Sequence, residues 1–230
     1  MDHHFRCGAN GALDGLTDKY VYGRRPTGFY IPRFRNLFDD KREYLRGFGY
    51  QGSASRQGWE RAVAELGVGG AFKDLMATPG GWRIGATAFG EMLPNHDNRV
   101  TIDKSRKDKW GLAVLSIDCA TGENERLMRI DMMNDMAEML EAAGVKDVRV
   151  FDNRYYPGMG IHEMGTARMG RDRKTSVLNG NNQVWDCPNV FVTDGACMTS
   201  AACQNPSLTY MALTARAADF AVRELKRGSL

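Results

Sequence analysis

No apolar run in this chain approaches the roughly twenty residues that a helix needs to span a bilayer, so no membrane span is predicted in it. Nor is there a basic block. The net charge is +3 over 230 residues, and lysine and arginine are scattered among aspartate and glutamate, a pattern that leaves nucleic-acid binding without an electrostatic footprint. The five cysteines (Cys7, Cys119, Cys187, Cys197 and Cys203) are odd in number, widely spaced and contain no C-x-x-C pair. That spacing argues against a disulfide framework or a zinc knuckle and predicts reduced, structural thiols. His162-Glu163 begins H-E-x-x-H but position 166 is threonine, and His3, His4 and His96 are isolated, so no metal site is expected. The opening MDHHFRCGANG lacks the apolar stretch of a secretory signal. The chain reads as soluble, cytoplasmic or periplasmic, with any signal placed before Met1.

What is present is an ordinary globular composition, 26% charged and 43% hydrophobic, enough for one core plus a smaller lobe. Alternation predicts strands at Gly28–Ile31, Arg83–Phe89, Arg99–Ile102, Gly111–Cys119 and Asp147–Phe151. Helices are expected at Trp59–Leu66, Ala71–Met76, Asn124–Ala143 and Leu208–Leu225. In the third of these, Leu127, Ile130, Met133, Met136 and Leu140 recur at spacings of three and four, and Gly144 closes the run. Strands with helices packed on one side indicate an α+β architecture. Gly47 to Gly52 satisfies G-x-G-x-x-G, but a charged stretch precedes it and no helix follows, so a phosphate loop is not expected there.

Two places carry chemistry. His162 stands in a turn rich in glycine (Gly158, Gly160, Gly165 and Gly170), where the backbone is free to approach a ligand. A neutral imidazole is suited to take a proton near neutral pH, although a lone histidine is also found as a satisfied core residue. Further on, Val190-Phe191-Val192 is an apolar run of the buried, parallel-sheet type, ending in Thr193-Asp194-Gly195. Asn205-Pro206-Ser207 then reads as a helix start, with Asn205 at or near the cap. Ordinary capping of Leu208 or Thr209 by Asn205 is the plain alternative to a role at a ligand.

Together, His162 to Gly170, Asn189 to Gly195 and Asn205 to Thr209 resemble the carboxyl-terminal part of the glucose–methanol–choline (GMC) flavoprotein oxidoreductases. Met1-Asp2-His3 is similar to the end of an internal N-L-M-D-H stretch of that family. The resemblance implies oxidation of the CH–OH group of an alcohol, sugar or polyol, with hydride passing to N5 of FAD. His162 matches the candidate base, and Asn205 the position that orients the substrate oxygen. Asp194, Gly195 and Ala196 match the segment near the ribityl–pyrophosphate portion of FAD, and Pro206, Ser207 and Thr209 the backbone lying against the isoalloxazine. It also implies an antiparallel-sheet substrate-binding domain over residues 1–157. Residues 158–230 would carry the catalytic pair and complete a Rossmann-like FAD domain whose amino-terminal dinucleotide-binding region is missing here, so that the chain is expected to be a fragment. The electron acceptor, whether oxygen, a quinone or a cytochrome partner, is left open. The rival reading is a non-catalytic binding module or inactive remnant that has lost the cofactor. A thiol enzyme built on Cys197 or Cys203 has no sequence partner to activate either sulfur.

Overall fold

In a computed structural model, the described residues are 5–16, 28–56, 68–78, 80–156 and 158–230. The helix expected at Trp59–Leu66 lies outside them. The centre of the molecule is a five-stranded antiparallel sheet of order β2-β3-β4-β1-β7. Its strands are β1 (Phe5–Leu13), β2 (Phe29–Ile31), β3 (Phe48–Arg56), β4 (Trp82–Gly90) and β7 (Lys146–Asp152). Two smaller antiparallel pairs stand apart: β5 (Arg99–Lys107) with β6 (Ala113–Asp118), and β8 (Gln183–Val184) with β9 (Cys187–Phe191). The helices are α1 (Gly69–Ala77), α2 (Glu123–Ala142) and α3 (Ser207–Lys226). The fold is therefore mixed α and β with antiparallel sheets.

The sheet has one covered and one open face, and its sequence explains which is which. Successive side chains of a strand point to opposite faces. Along β1 and β4, Cys7 pairs with Ala88 and Ala9 with Ala86. Along β3 and β4, Tyr50 pairs with Ala88 and Phe48 with Gly90. This row is buried against α2, whose Met128, Met132, Met136 and Leu140 complete the core. Phe48 and Tyr50 meet edge to face at 5.5 Å, and the Tyr50 hydroxyl donates to the Met132 carbonyl at 2.8 Å. The start of α2 is held by Glu125, which accepts from the backbone N–H of Gly122 at 2.7 Å and of Leu93 at 3.0 Å; Gly144, with φ of +80°, turns the chain away at its end.

Several expectations are corrected. β1 and β3 are central strands, although FRCGANGAL and FGYQGSASR look like turn-rich surface sequence. Their glycines are demanded by sheet packing: a Cβ on Gly8 would lie 2.1 Å from the Ala86 carbonyl. Gly47 to Gly52 runs into β3 and opens no helix, in line with the sequence reading. The buried stripe of α2 is rotated from the expected one. Ile130 is exposed, Leu127 and Met133 are half-buried, and Met128, Met132 and Asp135 take the inner positions. Asp135 can do so because the Arg35 guanidinium meets its two oxygens at 2.7 and 2.5 Å. Val190-Phe191 belongs to an antiparallel hairpin, not to a buried parallel sheet; Val190 is 41% exposed. A partner strand of two residues cannot bury both faces of β9, so only Phe191 gains cover, edge to face with Phe220 of α3 at 6.3 Å.

α3 lies on the 178–200 region through Ala217, Phe220 and Arg216, whose guanidinium donates to the buried Asn182 at 2.9 Å. Its opposite side carries Leu208, Met211, Val222 and Leu225 into solvent.

Candidate functional site

The segment carrying His162 is strained and then clamped. Both Ile161 and His162 adopt φ of +60°, the left-handed region that costs non-glycine residues about 1–2 kcal/mol each. The neighbouring positive-φ positions, 158 and 165, are glycines. The glycine-rich sequence thus relieves only part of the turn, and such strain persists where surroundings over-determine it. The clamp is visible. Gly165, Ala167 and Met169 donate in turn to the carbonyls of Gly195, Ala196 and Cys197 at 3.4, 2.9 and 2.8 Å. Met164 is fully buried beneath them, and the Tyr210 hydroxyl donates to its sulfur at 3.6 Å.

Asp194 is exposed, and its carboxylate accepts from the Ala196 N–H at 2.9 Å, capping the single 3-10 turn Gly195–Cys197. Gly195 is buried, and the space a side chain would need is taken by the Glu163 carbonyl and the Tyr210 hydroxyl. The sequence places Gly195 where it is for packing within this chain. Ala196 is half-buried.

Asn205 is not the cap of α3. Pro206 occupies that position, buried and with φ of −91°, and no side chain caps the helix. Proline has already supplied the helical φ and removed one of the amides a cap would serve. Ser207, Leu208 and Thr209 stand exposed on the first turn, with backbone amides that have no acceptor one turn back in the helix. Asn205, released from capping, is exposed and lines a cleft of about 580 Å³ with Gly28, Phe29, Tyr30, Gln51, Gly52 and Gln204.

What ties this corner to the sheet is Glu91, just past the end of β4. Its buried carboxylate accepts from the Cys203 backbone N–H and pairs with Arg33 at 3.5 Å and Arg46 at 3.9 Å. Burial raises the carboxyl above its ordinary range, and both arginines and the Cys203 amide pull it back. Glu91 thus links the end of β4 to the backbone two residues before Asn205.

His162 is half-buried. Burial lowers its ring below the usual 6.5; the Glu163 carboxylate opposes this and the Arg6 guanidinium adds to it. A neutral ring at pH 7 is what a proton acceptor requires. Arg6, on the open face of β1, lies 4.4 Å from the centre of the Tyr155 ring, and its Nε is buried without a hydrogen-bond partner. The thiols are not activated: burial pushes Cys203 up to about 11 and raises Cys197 as well. All five cysteines are free. Among the described residues, no three metal-ligating side chains gather, and no helix is long and apolar enough to cross a membrane.

The structure thus brings the 160s segment and the 194–197 turn into one clamped unit, and places Asn205 on a cleft against β2 and β3. His162 is not among the walls of that cleft; it stands toward Arg6, beside the same open sheet face. Sequence reasoning missed Glu91, Arg6, Tyr30 and Met164. For Tyr30 the signal was alternation along β2; for Arg6, Glu91 and Met164 no local pattern distinguishes them.

Comparison with known proteins agrees with these motifs. The model of the GMC oxidoreductase family matches residues 94–214, more than half of the 230. A 2-methyl-1,2-propanediol dehydrogenase of Mycolicibacterium austroafricanum is 33% identical over 209 residues, covering 85% of this chain and 37% of the relative. Paromamine 6'-oxidase of Streptomyces fradiae is 36% identical over 126 residues, 54% of this chain and 23% of its own length. The fructose dehydrogenase large subunit of Gluconobacter japonicus is 29% identical over 138 residues, 60% and 25%. The chain spans between about a quarter and two-fifths of the length of these relatives. On this match to its family model, the chain is a member of the GMC oxidoreductases.

Proposed function

We propose that this chain supplies the substrate-binding domain, residues 1–157, and the catalytic carboxyl-terminal segment, residues 158–230, of an FAD-dependent oxidoreductase acting on the CH–OH group of an alcohol, sugar or polyol. The observation that carries this reading is the clamp of three backbone hydrogen bonds between the His162 segment and the Gly195–Cys197 turn. It unites the residues assigned to proton transfer with those assigned to the cofactor.

The residues present fit one wall of a flavin site. The first turn of α3 offers free backbone amides at Ser207 and Thr209, with no side chain capping them, the arrangement that favours carbonyl-rich or anionic partners. Gly195 and Ala196 lie beside the exposed Asp194 carboxylate, already oriented by its cap, and Pro206 fixes the direction from which the helix enters. When bound, FAD supplies the acceptor for hydride at N5.

The protein's own contribution is then as follows. A neutral His162 takes the hydroxyl proton as the carbinol C–H is lost, leaving a carbonyl product. The Asn205 amide donates to the substrate oxygen, holding it and stabilising the charge that develops there; one such donor is worth a few kcal/mol. Glu91 holds Asn205 in position through the Cys203 backbone. The open sheet face roofs the site while α2 packs on the outer side.

The test is anaerobic mixing of the flavin-loaded protein with a panel of alcohols, polyols and sugars, following loss of the oxidised-flavin absorbance. Bleaching that disappears in His162→Ala and falls in Asn205→Ala supports the assignment. Bleaching that is unchanged in both variants overturns it, and a protein that takes no flavin under any condition returns the chain to the binding-module reading.

A further inference from the structure

On the side of α2, Arg35 pairs with Asp135, Arg42 with Asp131 and Arg129 with Asp152, while Arg56 donates to the Leu16 carbonyl and lies over the Trp82 ring. On the open face, Arg6, Arg83 and Arg149 have no carboxylate partner among the described residues. Apart from Phe89 and Phe151, the same face otherwise carries mostly small or uncharged polar residues. Asn10, Gly85 and Ser53 lie opposite one another across β1, β4 and β3, and Gln51 lies opposite Thr87. A cleft of about 540 Å³ opens over them and shares Gln51 and Gly52 with the cleft that Asn205 lines. The two adjoin at these residues, and each is within the range of small-molecule sites.

Arg83 is pre-set. Its terminal nitrogen donates to the Asn10 side-chain oxygen at 2.8 Å. Asn10 stands opposite Gly85 in the register, so the guanidinium leans along the strand toward Thr87 and the Asn205 end. Arg83 and Thr87 are four residues apart, about 13 Å along an extended strand, and that lean shortens the gap. A half-buried guanidinium held by a neutral amide keeps donors free for a forked, two-point contact, the geometry a carboxylate matches. Arg83 is the one cation in the lining of the cleft itself, a match for a single carboxylate, and Arg149, opposite Asn10, adds to the positive field of the face.

We propose that this face takes a polyhydroxy acid as substrate, its carboxylate seated on Arg83, its hydroxyls met by Gln51, Ser53 and Thr87, and its reacting carbinol at the Asn205 end. This deepens, and rests on, the alcohol-oxidising reading above.

The experiment is calorimetric titration of the intact, flavin-loaded protein at low ionic strength with D-gluconate, its neutral counterpart D-glucitol, and glucose 6-phosphate. Gluconate is expected to bind at least tenfold more tightly than glucitol. That preference should shrink to less than twofold in Arg83→Met, while glucitol affinity stays within twofold. Equal binding of gluconate and glucitol by the wild-type protein overturns the proposal without need of any variant. So does a preference that survives Arg83→Met, or tighter binding of glucose 6-phosphate. Flavin bleaching is read in parallel to separate the two claims. Gluconate preference with no bleaching by any hydroxylated compound would remove the alcohol-oxidising reading and leave the acid site. Bleaching by neutral alcohols with no gluconate preference would do the reverse.

Discussion

The carbonyl oxygen of Glu163 lies 2.7 Å from the point where a side chain on Gly195 would begin, and the Tyr210 hydroxyl lies at 2.8 Å from it. Neither is a flexible side-chain end that could swing freely away: one is backbone and the other is bonded to Met164. In Gly195→Ala the 163–165 segment must therefore move, and His162 with it. Overpacking of this kind costs about 1–3 kcal/mol, read as a melting temperature lowered by several degrees. Turnover should fall further than stability alone explains. A variant with normal melting and normal turnover would show that the clamp does not position His162.

His162 sets a pH dependence whose sign follows from its surroundings. On the proposed role the deprotonated ring is the active form, and burial with Arg6 holds its pKa below the usual 6.5. The kcat/KM of the flavin-loaded protein should rise with pH to a plateau, with a midpoint below 6.5. Arg6→Gln should move that midpoint upward, since a charge disfavouring the imidazolium is removed. His162→Ala should lose about 100- to 10,000-fold in turnover. A midpoint indifferent to Arg6 would place the guanidinium outside the reach of the ring.

Glu91 is expected to act through Asn205. Glu91→Ala leaves the Cys203 N–H without its acceptor and Arg33 without its partner, a loss of about 1–3 kcal/mol. It should also loosen Asn205 and lower turnover. Glu91→Gln keeps an oxygen for the Cys203 amide and should restore turnover toward wild type. Equal damage in both variants would make the charge, not the tether, the important feature.

Tyr50→Phe isolates one bond of the core. The ring keeps its place against Phe48, but the Met132 carbonyl loses a donor at 2.8 Å in a buried site. A destabilisation of about 1–2 kcal/mol is expected by chemical denaturation, with flavin reduction unchanged, because the bond lies on the α2 side of the sheet.

The strands from β4 to β7 and the long helices were legible because their apolar and polar residues alternate at the period of the element. β1 and β3 were not, because one face of each bears Gly8, Asn10 and Ala12, or Gly49, Gln51 and Ser53. Small residues on a face left open give the eye a turn where the backbone makes a ladder. The inner stripe of α2 was misjudged for a related reason: an ion pair with Arg35 lets Asp135 face inward, and nothing within the helix announces that partner 100 residues away. His162 and Asn205 were found because each sits in a local motif. Glu91 and Arg6 were not, since what makes them matter is a neighbour brought by folding: Cys203 for one, Tyr155 and His162 for the other.

The central place of β1 has a consequence for the time course of assembly. β1 bonds to β4, some seventy residues later, and to β7, about 140 residues later. During synthesis β1 emerges well before β4 and β7, and it is closed on both sides only after both have been made. Until residue 152 has been made, its β7 edge waits with unpaired amides and carbonyls, open to the wrong partner. Closing so long a loop makes for slow folding, and the nascent chain should depend on chaperones most strongly in the interval before β7 appears.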